Sequence, residues 1–213
     1  MELAKLRHMV VEGPIGVGKT TLARRLSEKL RADLLLEAPE QNPFLEKFYR
    51  DSRRYALQTQ LFFLFQRIEQ LRDLAQADLF ARPVVSDFLL EKDPLFAQLT
   101  LNDDELGLYQ KIYSSLSPQA ATPDLVIFLM ASPDTLIERV ARRGIASEAA
   151  ISEDYLRALC HSYTELIHDY DDAPQLVINT EHLNPIDSED DFTLLLQRIE
   201  TMRGKREFFN RAD

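Results

Sequence analysis

The sequence predicts an α/β fold: one domain over residues 1–213, with a five-stranded parallel sheet flanked by helices. Three observations carry that expectation. Short, near-continuously apolar runs alternate with longer stretches of helical periodicity, the pattern of strands buried on both faces of a parallel sheet. Three of the chain's 6 glycines, Gly13, Gly16 and Gly18, crowd the junction between the first apolar run and the first helical stretch. No repeat, low-complexity tract or Pro/Gly/Ser-rich linker divides the 213 residues, a length that suits one such domain.

The runs expected as strands are 8–12, 33–37, 83–87, 124–130 and 175–179. In the first helical stretch Leu22, Leu26 and Leu30 recur every four residues. A long amphipathic helix is expected over 54–79, with Leu57, Leu61, Leu64, Ile68 and Leu71 on one face. Asn102 with Glu105 has the form of a capping box opening a helix over 102–116. Ser132 before Pro133, and Ser152 and Ser188 ahead of acidic residues, mark three more helix starts. The acidic clusters 103–105 and 189–191 therefore read as helix-start chemistry rather than metal sites.

Composition narrows the function classes. The formal charge is −10, from 25 Lys plus Arg against 35 Asp plus Glu, a field that repels nucleic acid. A small anion can still bind where a local pocket is positive. The lone cysteine, Cys160, excludes an intramolecular disulfide, fits a reducing compartment and is expected as a buried thiol. No apolar run approaches the roughly 18 residues of a membrane span, and residues 1–11 show no apolar leader pattern. A cytoplasmic protein without membrane or nucleic-acid partners is expected.

The glycine cluster supplies the chemistry. Gly13-Pro14-Ile15-Gly16-Val17-Gly18-Lys19-Thr20 matches G-x-x-x-x-G-K-[ST] in full, after a strand and before a helix. Such a loop turns backbone N–H groups and a helix N-terminus towards phosphate oxygens. Lys19 then reaches the β- and γ-phosphates, and the Thr20 hydroxyl, followed by Thr21, faces Mg²⁺. ATP as phosphate donor and Mg²⁺ as its metal are the expected cofactors.

Candidates for the acceptor side sit at strand ends, where an open α/β sheet builds its crevice. Glu37 closes the second strand and can take a hydroxyl proton; Asp87 closes the third and can hold Mg²⁺. Gln60 and Arg67 lie seven residues apart on an otherwise apolar helix face, so each needs a polar partner there.

From the phosphate loop to the run at 175–179, the sequence resembles the deoxynucleoside kinase family. The most diagnostic stretch is Phe48-Tyr49, then Arg54 to Gln60, then Gln66-Arg67, which is similar to the family's Phe-Tyr…Trp…Gln…Arg pattern. The resemblance implies a P-loop kinase that phosphorylates a deoxynucleoside at its 5′-hydroxyl in nucleotide salvage, with a purine favoured. It makes Glu37 the general base, places Tyr49 at the sugar 3′-hydroxyl and sets Gln60, Arg67 and Asp93 around the base. It also implies an arginine-containing lid over 139–151. There Arg139 and Arg143 stabilise the transferring phosphoryl group, and Glu148 approaches the 3′-hydroxyl. A homodimer is common in the family.

Two departures stand out. The family's carboxylate–Arg–Ser/Thr triplet is replaced by Asp87-Phe88-Leu89, and the lid's R-G-R by Arg143-Gly144-Ile145. Each removes a positive charge from the expected site. They recommend a catalytically reduced nucleotide-binding regulator as an alternative; a nucleoside monophosphate kinase is a second one, which needs extra cations for its acceptor's phosphate that Phe88 makes harder to supply.

Overall fold

In the computed structural model, which describes residues 3–76, 82–144 and 151–210, strand β1 (His8–Glu12) is buried along its whole length at the centre of a parallel sheet. It pairs with β3 (Val84–Ser86) on one side and β4 (Leu125–Met130) on the other. Beyond them lie β2 (Asp33–Leu35) and β5 (Gln175–Asn179). A further strand, β6 (Arg206–Phe209), pairs in parallel with β5, giving the order β2-β3-β1-β4-β5-β6. The expected five-stranded sheet is thus a six-stranded one among the described residues. The reason is physical. An edge strand of four residues, alternating exposed and half-buried and carrying Arg206 and Glu207, lacks the continuous apolar run that marked the others.

The helices begin where the cap residues placed them. Asn102 and Glu105 form a reciprocal capping box on α5 (Asp103–Leu116). Ser132, Ser152 and Ser188 accept from the third backbone N–H of α6 (Pro133–Arg143), α7 (Glu153–Asp169) and α8 (Glu189–Thr201). Helix α1 (Lys19–Leu30) follows the glycine loop. The long helix α3 (Ser52–Ala75) starts on an Asp51 cap, two residues ahead of its expected start. Two shorter helices, α2 (Leu45–Arg50) and α4 (Lys92–Thr100), were not foreseen. Helix α4 opens on Lys92 and Asp93, both buried, so its polar residues do not mark an outward face.

Helices cover both sheet faces. Met9, Val11, Ile127 and Leu176 pack with Leu22 and Leu26 of α1 and Phe192 and Leu195 of α8. The alternate residues Val10, Phe128 and Val177 pack with Ile167 and Tyr170. A third cluster joins Leu64, Ile68 and Leu71 of α3 to Phe88 and Tyr109. Among the described residues no helix is long and apolar enough to cross a membrane. Cys160 is half-buried rather than buried.

One core residue carries a pH signature. His8 is 5% exposed on β1, its Nε2 2.9 Å from Ser86 Oγ and its Nδ1 without a partner. Burial lowers its pKa to about 4, against a weaker opposing pull from Asp124. The unfolded chain therefore binds more protons than the fold between about pH 6.5 and 4, and stability falls as pH falls through that window. The loss amounts to about 3 kcal/mol at most. Urea unfolding at pH 7 and pH 4.5 is expected to show a smaller pH difference for His8→Gln than for the parent chain; equal differences would remove His8 as the cause.

Candidate active site

The carboxyl ends of β1, β2 and β3 deliver the phosphate loop, Glu37 and Asp87 to one cavity of about 210 Å³. Helices α2, α3, α4, α6 and α7 supply its remaining walls.

The phosphate loop is shaped by its glycines. Gly13 has φ +151°, and a Cβ there would collide with the Leu129 carbonyl of the neighbouring strand. Gly18, at φ +103°, ends the loop and caps α1 in the left-handed region. Lys19 Nζ donates to the carbonyls of Gly13 at 2.7 Å and Pro14 at 3.2 Å, which holds it over the loop. Burial lowers the Lys19 pKa, an effect opposed by the nearby carboxylate of Glu12.

Thr20 and Asp87 converge: Thr20 Oγ1 donates to Asp87 Oδ2 at 2.5 Å. The other carboxylate oxygen accepts from the Glu37 backbone N–H at 2.8 Å, tying the metal candidates to the base candidate. A hydroxyl and a carboxylate at the mouth of a phosphate loop are hard oxygen donors, and they fit Mg²⁺.

Glu37 stands two residues past the end of β2. Its Oε1 accepts from Arg67 Nε at 2.7 Å and Nη2 at 2.5 Å, while Oε2 lies 3.4 Å from Lys92 Nζ. Burial alone would raise its pKa; Arg67, Lys92 and Lys19 together override burial and hold it at about 2. Glu37 is therefore a carboxylate at neutral pH, with Oε2 the less committed oxygen.

Behind Arg67 lies Asp93, fully buried. It accepts from Arg67 Nη1, from Tyr109 Oη at 2.5 Å and from Gln60 Nε2 at 2.5 Å. Gln60 Nε2 also donates to the Asp93 carbonyl at 3.0 Å. Both neighbours of this amide nitrogen are acceptors, so the amide orientation is fixed chemically. The Gln60 NH₂ is committed to Asp93, and its carbonyl oxygen is what it can offer a ligand.

The deoxynucleoside kinase family model matches residues 9–202. The chain belongs to the deoxynucleoside kinase family. It is 37% identical over 174 residues to a deoxyguanosine kinase of Bacillus subtilis strain 168, covering 81% of this chain and 84% of that protein. To a deoxyadenosine kinase of Dictyostelium discoideum it is 31% identical over 202 residues, covering 92% and 80%. Deoxyadenosine kinase from M. mycoides, solved with the products dCMP and a flexible dCDP, has 25% identity and a TM-score of 0.80. That likeness covers 92% of this chain and 100% of that one. The same enzyme with bound dATP gives a TM-score of 0.79.

Most of the expected site residues of this kinase-family chain meet in one place. Gly16, Lys19, Thr20, Glu37 and Asp87 line the cavity beside Tyr49, Gln60, Arg67 and Arg143. Asp93 backs Gln60 and Arg67 from the core side. Arg139 points elsewhere: its guanidinium donates to Thr180 Oγ1 at 2.8 Å and the Thr180 carbonyl at 3.0 Å. Thr21 is exposed on the first turn of α1. Glu148 and Ile145 lie outside the described residues. On α3, Phe63 lines the cavity with the Arg67 guanidinium 5.0 Å from its ring, and Phe65 faces outward.

Sequence reasoning missed Glu12, Lys92 and Tyr163. Glu12 is fully buried and accepts from the N–H of Gly13 at 2.7 Å, the N–H of Leu89 at 2.7 Å and Tyr163 Oη at 2.9 Å. A charged residue closing a wholly buried strand, directly before the glycine loop, was the available signal for Glu12. Nothing comparable marked Lys92.

Proposed function

We propose that this chain transfers the γ-phosphoryl group of ATP to the 5′-hydroxyl of a deoxynucleoside, with a purine favoured. The observation that carries this reading is Glu37 in the cavity lining, beside the phosphate loop and the Gln60–Arg67 wall, with Oε1 held by Arg67 and Oε2 facing Lys92 at 3.4 Å. The 5′-oxygen attacks the γ-phosphorus as the bridging P–O bond to ADP breaks, and the hydroxyl proton passes to Glu37 Oε2. Lys19 and the loop amides hold the donor phosphates. Thr20 and Asp87 would hold Mg²⁺, which would supply charge neutralisation for the donor phosphates. Arg143 is the lid arginine best placed to meet the transferring group, because it lines the cavity, whereas Arg139 enters only by leaving Thr180. Glu148 is assigned to the same lid.

The purine preference rests on the likeness to deoxyguanosine and deoxyadenosine kinases. With its NH₂ held by Asp93, Gln60 acts as an acceptor and favours a base edge that donates. Tyr49 is assigned to the sugar 3′-hydroxyl. A monophosphate acceptor is disfavoured, since Arg67 is already bridged to Glu37 and Asp93, and Lys92 to Glu12 and Glu37. A homodimer through α3 and α5 is supported by Phe65 and Leu108, which are 53% and 49% exposed there. The single cysteine fits a cytoplasmic location.

Steady-state assays with Mg²⁺·ATP and the four deoxynucleosides test the reading. The highest kcat/KM is expected for deoxyguanosine or deoxyadenosine. Folded protein that binds ATP yet turns over none of the four would overturn the assignment in favour of a nucleotide-binding regulator.

A further inference from the structure

We propose that Lys92 is a positioning residue for Glu37 and supplies, from the first turn of α4, the buried positive charge that the Asp87-Phe88-Leu89 triplet lacks. The proposal rests on Glu37 as the base. Phe88 does not leave a hole in the site: its ring is fully buried in the α3–α5 cluster with Leu64, Ile68 and Tyr109. The cation comes instead from five residues beyond Asp87, on a helix whose opening turn is buried.

The geometry explains what Lys92 does there. At 3% exposure its Nζ lies 3.4 Å from Glu12 Oε2 and 3.4 Å from Glu37 Oε2. Three donors besides Lys92 anchor Glu12, and one of them is the Gly13 N–H of the phosphate loop. Lys92 therefore links a fixed carboxylate to the catalytic one. The path Gly13–Glu12–Lys92–Glu37 ties the donor loop to the acceptor base through charge-assisted contacts. Its next residue, Asp93, is gripped by Arg67, Tyr109 and Gln60, which fixes the turn from which the lysine stem projects. Arg67 faces Glu37 from α3, Lys19 faces it from α1, and Asp87 holds its backbone N–H. Arg67 holds Oε1 alone; without Lys92 the carboxylate could rotate about that single anchor and Oε2 would lose its fixed direction.

A lysine that merely neutralised Glu12 would sit equally well in this fold, so the test separates the two roles. Lys92→Met is expected to lower kcat about 10–100-fold while KM for ATP and deoxynucleoside change less than about threefold, with Lys92→Arg recovering most of the loss. Because Lys92→Met leaves the buried Glu12 carboxylate without its salt-bridge partner, the charge-balanced Glu12→Gln/Lys92→Met variant is measured beside it. It is expected to regain part of the lost thermal stability, since the amide is neutral but sets its NH₂ against a backbone N–H, while kcat stays low. In a Glu37→Gln background, removal of Lys92 is expected to cost no further turnover. Parental kcat in Lys92→Met or in the charge-balanced variant, with Glu37→Gln still inactive, would overturn the role of Lys92 and leave the base assignment standing. Full activity of Glu37→Gln would overturn both.

Discussion

Glu37→Gln is expected to lower kcat by about 10²–10⁴-fold and to leave ATP binding unchanged. The substitution is nearly isosteric, and a glutamine carbonyl can still accept from Arg67. What it removes is a carboxylate oxygen able to take a proton. Burial, taken alone, would weaken this group's ionisation, but Arg67, Lys92 and Lys19 hold its pKa at about 2. At neutral pH the parent residue is thus always ready to accept. So low a pKa makes Glu37 a weak base, which phosphoryl transfer tolerates. In a loose transition state the attacking oxygen keeps its proton until the bond to phosphorus is well formed. Glu37 then acts first as a hydrogen-bond acceptor that aims the hydroxyl, and takes the proton late. ATP binding is expected to survive because Glu37 makes no hydrogen bond to the phosphate loop; its backbone contact is to Asp87. Calorimetric titration with ATP, set beside steady-state kinetics, checks both halves. Loss of ATP affinity together with turnover would mean that the substitution had disturbed the loop and not the base.

The contiguous parts of this arrangement were legible in the sequence. Gly13 to Thr20 form one uninterrupted motif, and Glu37 and Asp87 follow strands whose apolar runs announce their ends. Gln60 and Arg67 could be read as needing partners because they interrupt an apolar helix face. Their partner could not be deduced that way. Asp93 lies 26 residues beyond Arg67 on a short helix with buried polar residues, and only resemblance to a family pointed to it. The Glu12–Lys92 contact spans 80 positions and has no local signature. That is why Phe88 read as a lost charge: a triplet records which side chain is absent, while the replacement is supplied by folding. Strand β6 was missed for a related reason, since pairing along β5 and not its own composition makes it a strand.

Asp93→Ala is expected to be the most damaging change at the base wall. The carboxylate is fully buried and is the common acceptor for Arg67, Tyr109 and Gln60. Its two titratable partners show its influence. Burial opposes the charge on Arg67, but Glu37 and Asp93 more than restore it; Tyr109 is pushed up first by burial and then by Asp93. Removing one member of such a buried pair costs about 3–5 kcal/mol, because the guanidinium stays buried with part of its compensation gone. For a domain of this size that corresponds to a fall in Tm of roughly 6–20 °C. Asp93→Asn separates shape from charge. It keeps an oxygen for Tyr109 and Gln60 but not the anion for Arg67, so it is expected to recover part of the stability. A second consequence follows at the cavity. In Asp93→Ala the Gln60 NH₂ loses its side-chain acceptor, and a base edge that accepts can then compete with one that donates. The ratio of kcat/KM between the preferred deoxynucleoside and the other three is accordingly expected to fall, measured at a temperature where the variant is folded. An unchanged ratio in a folded variant would mean that Asp93 supports the wall without orienting Gln60.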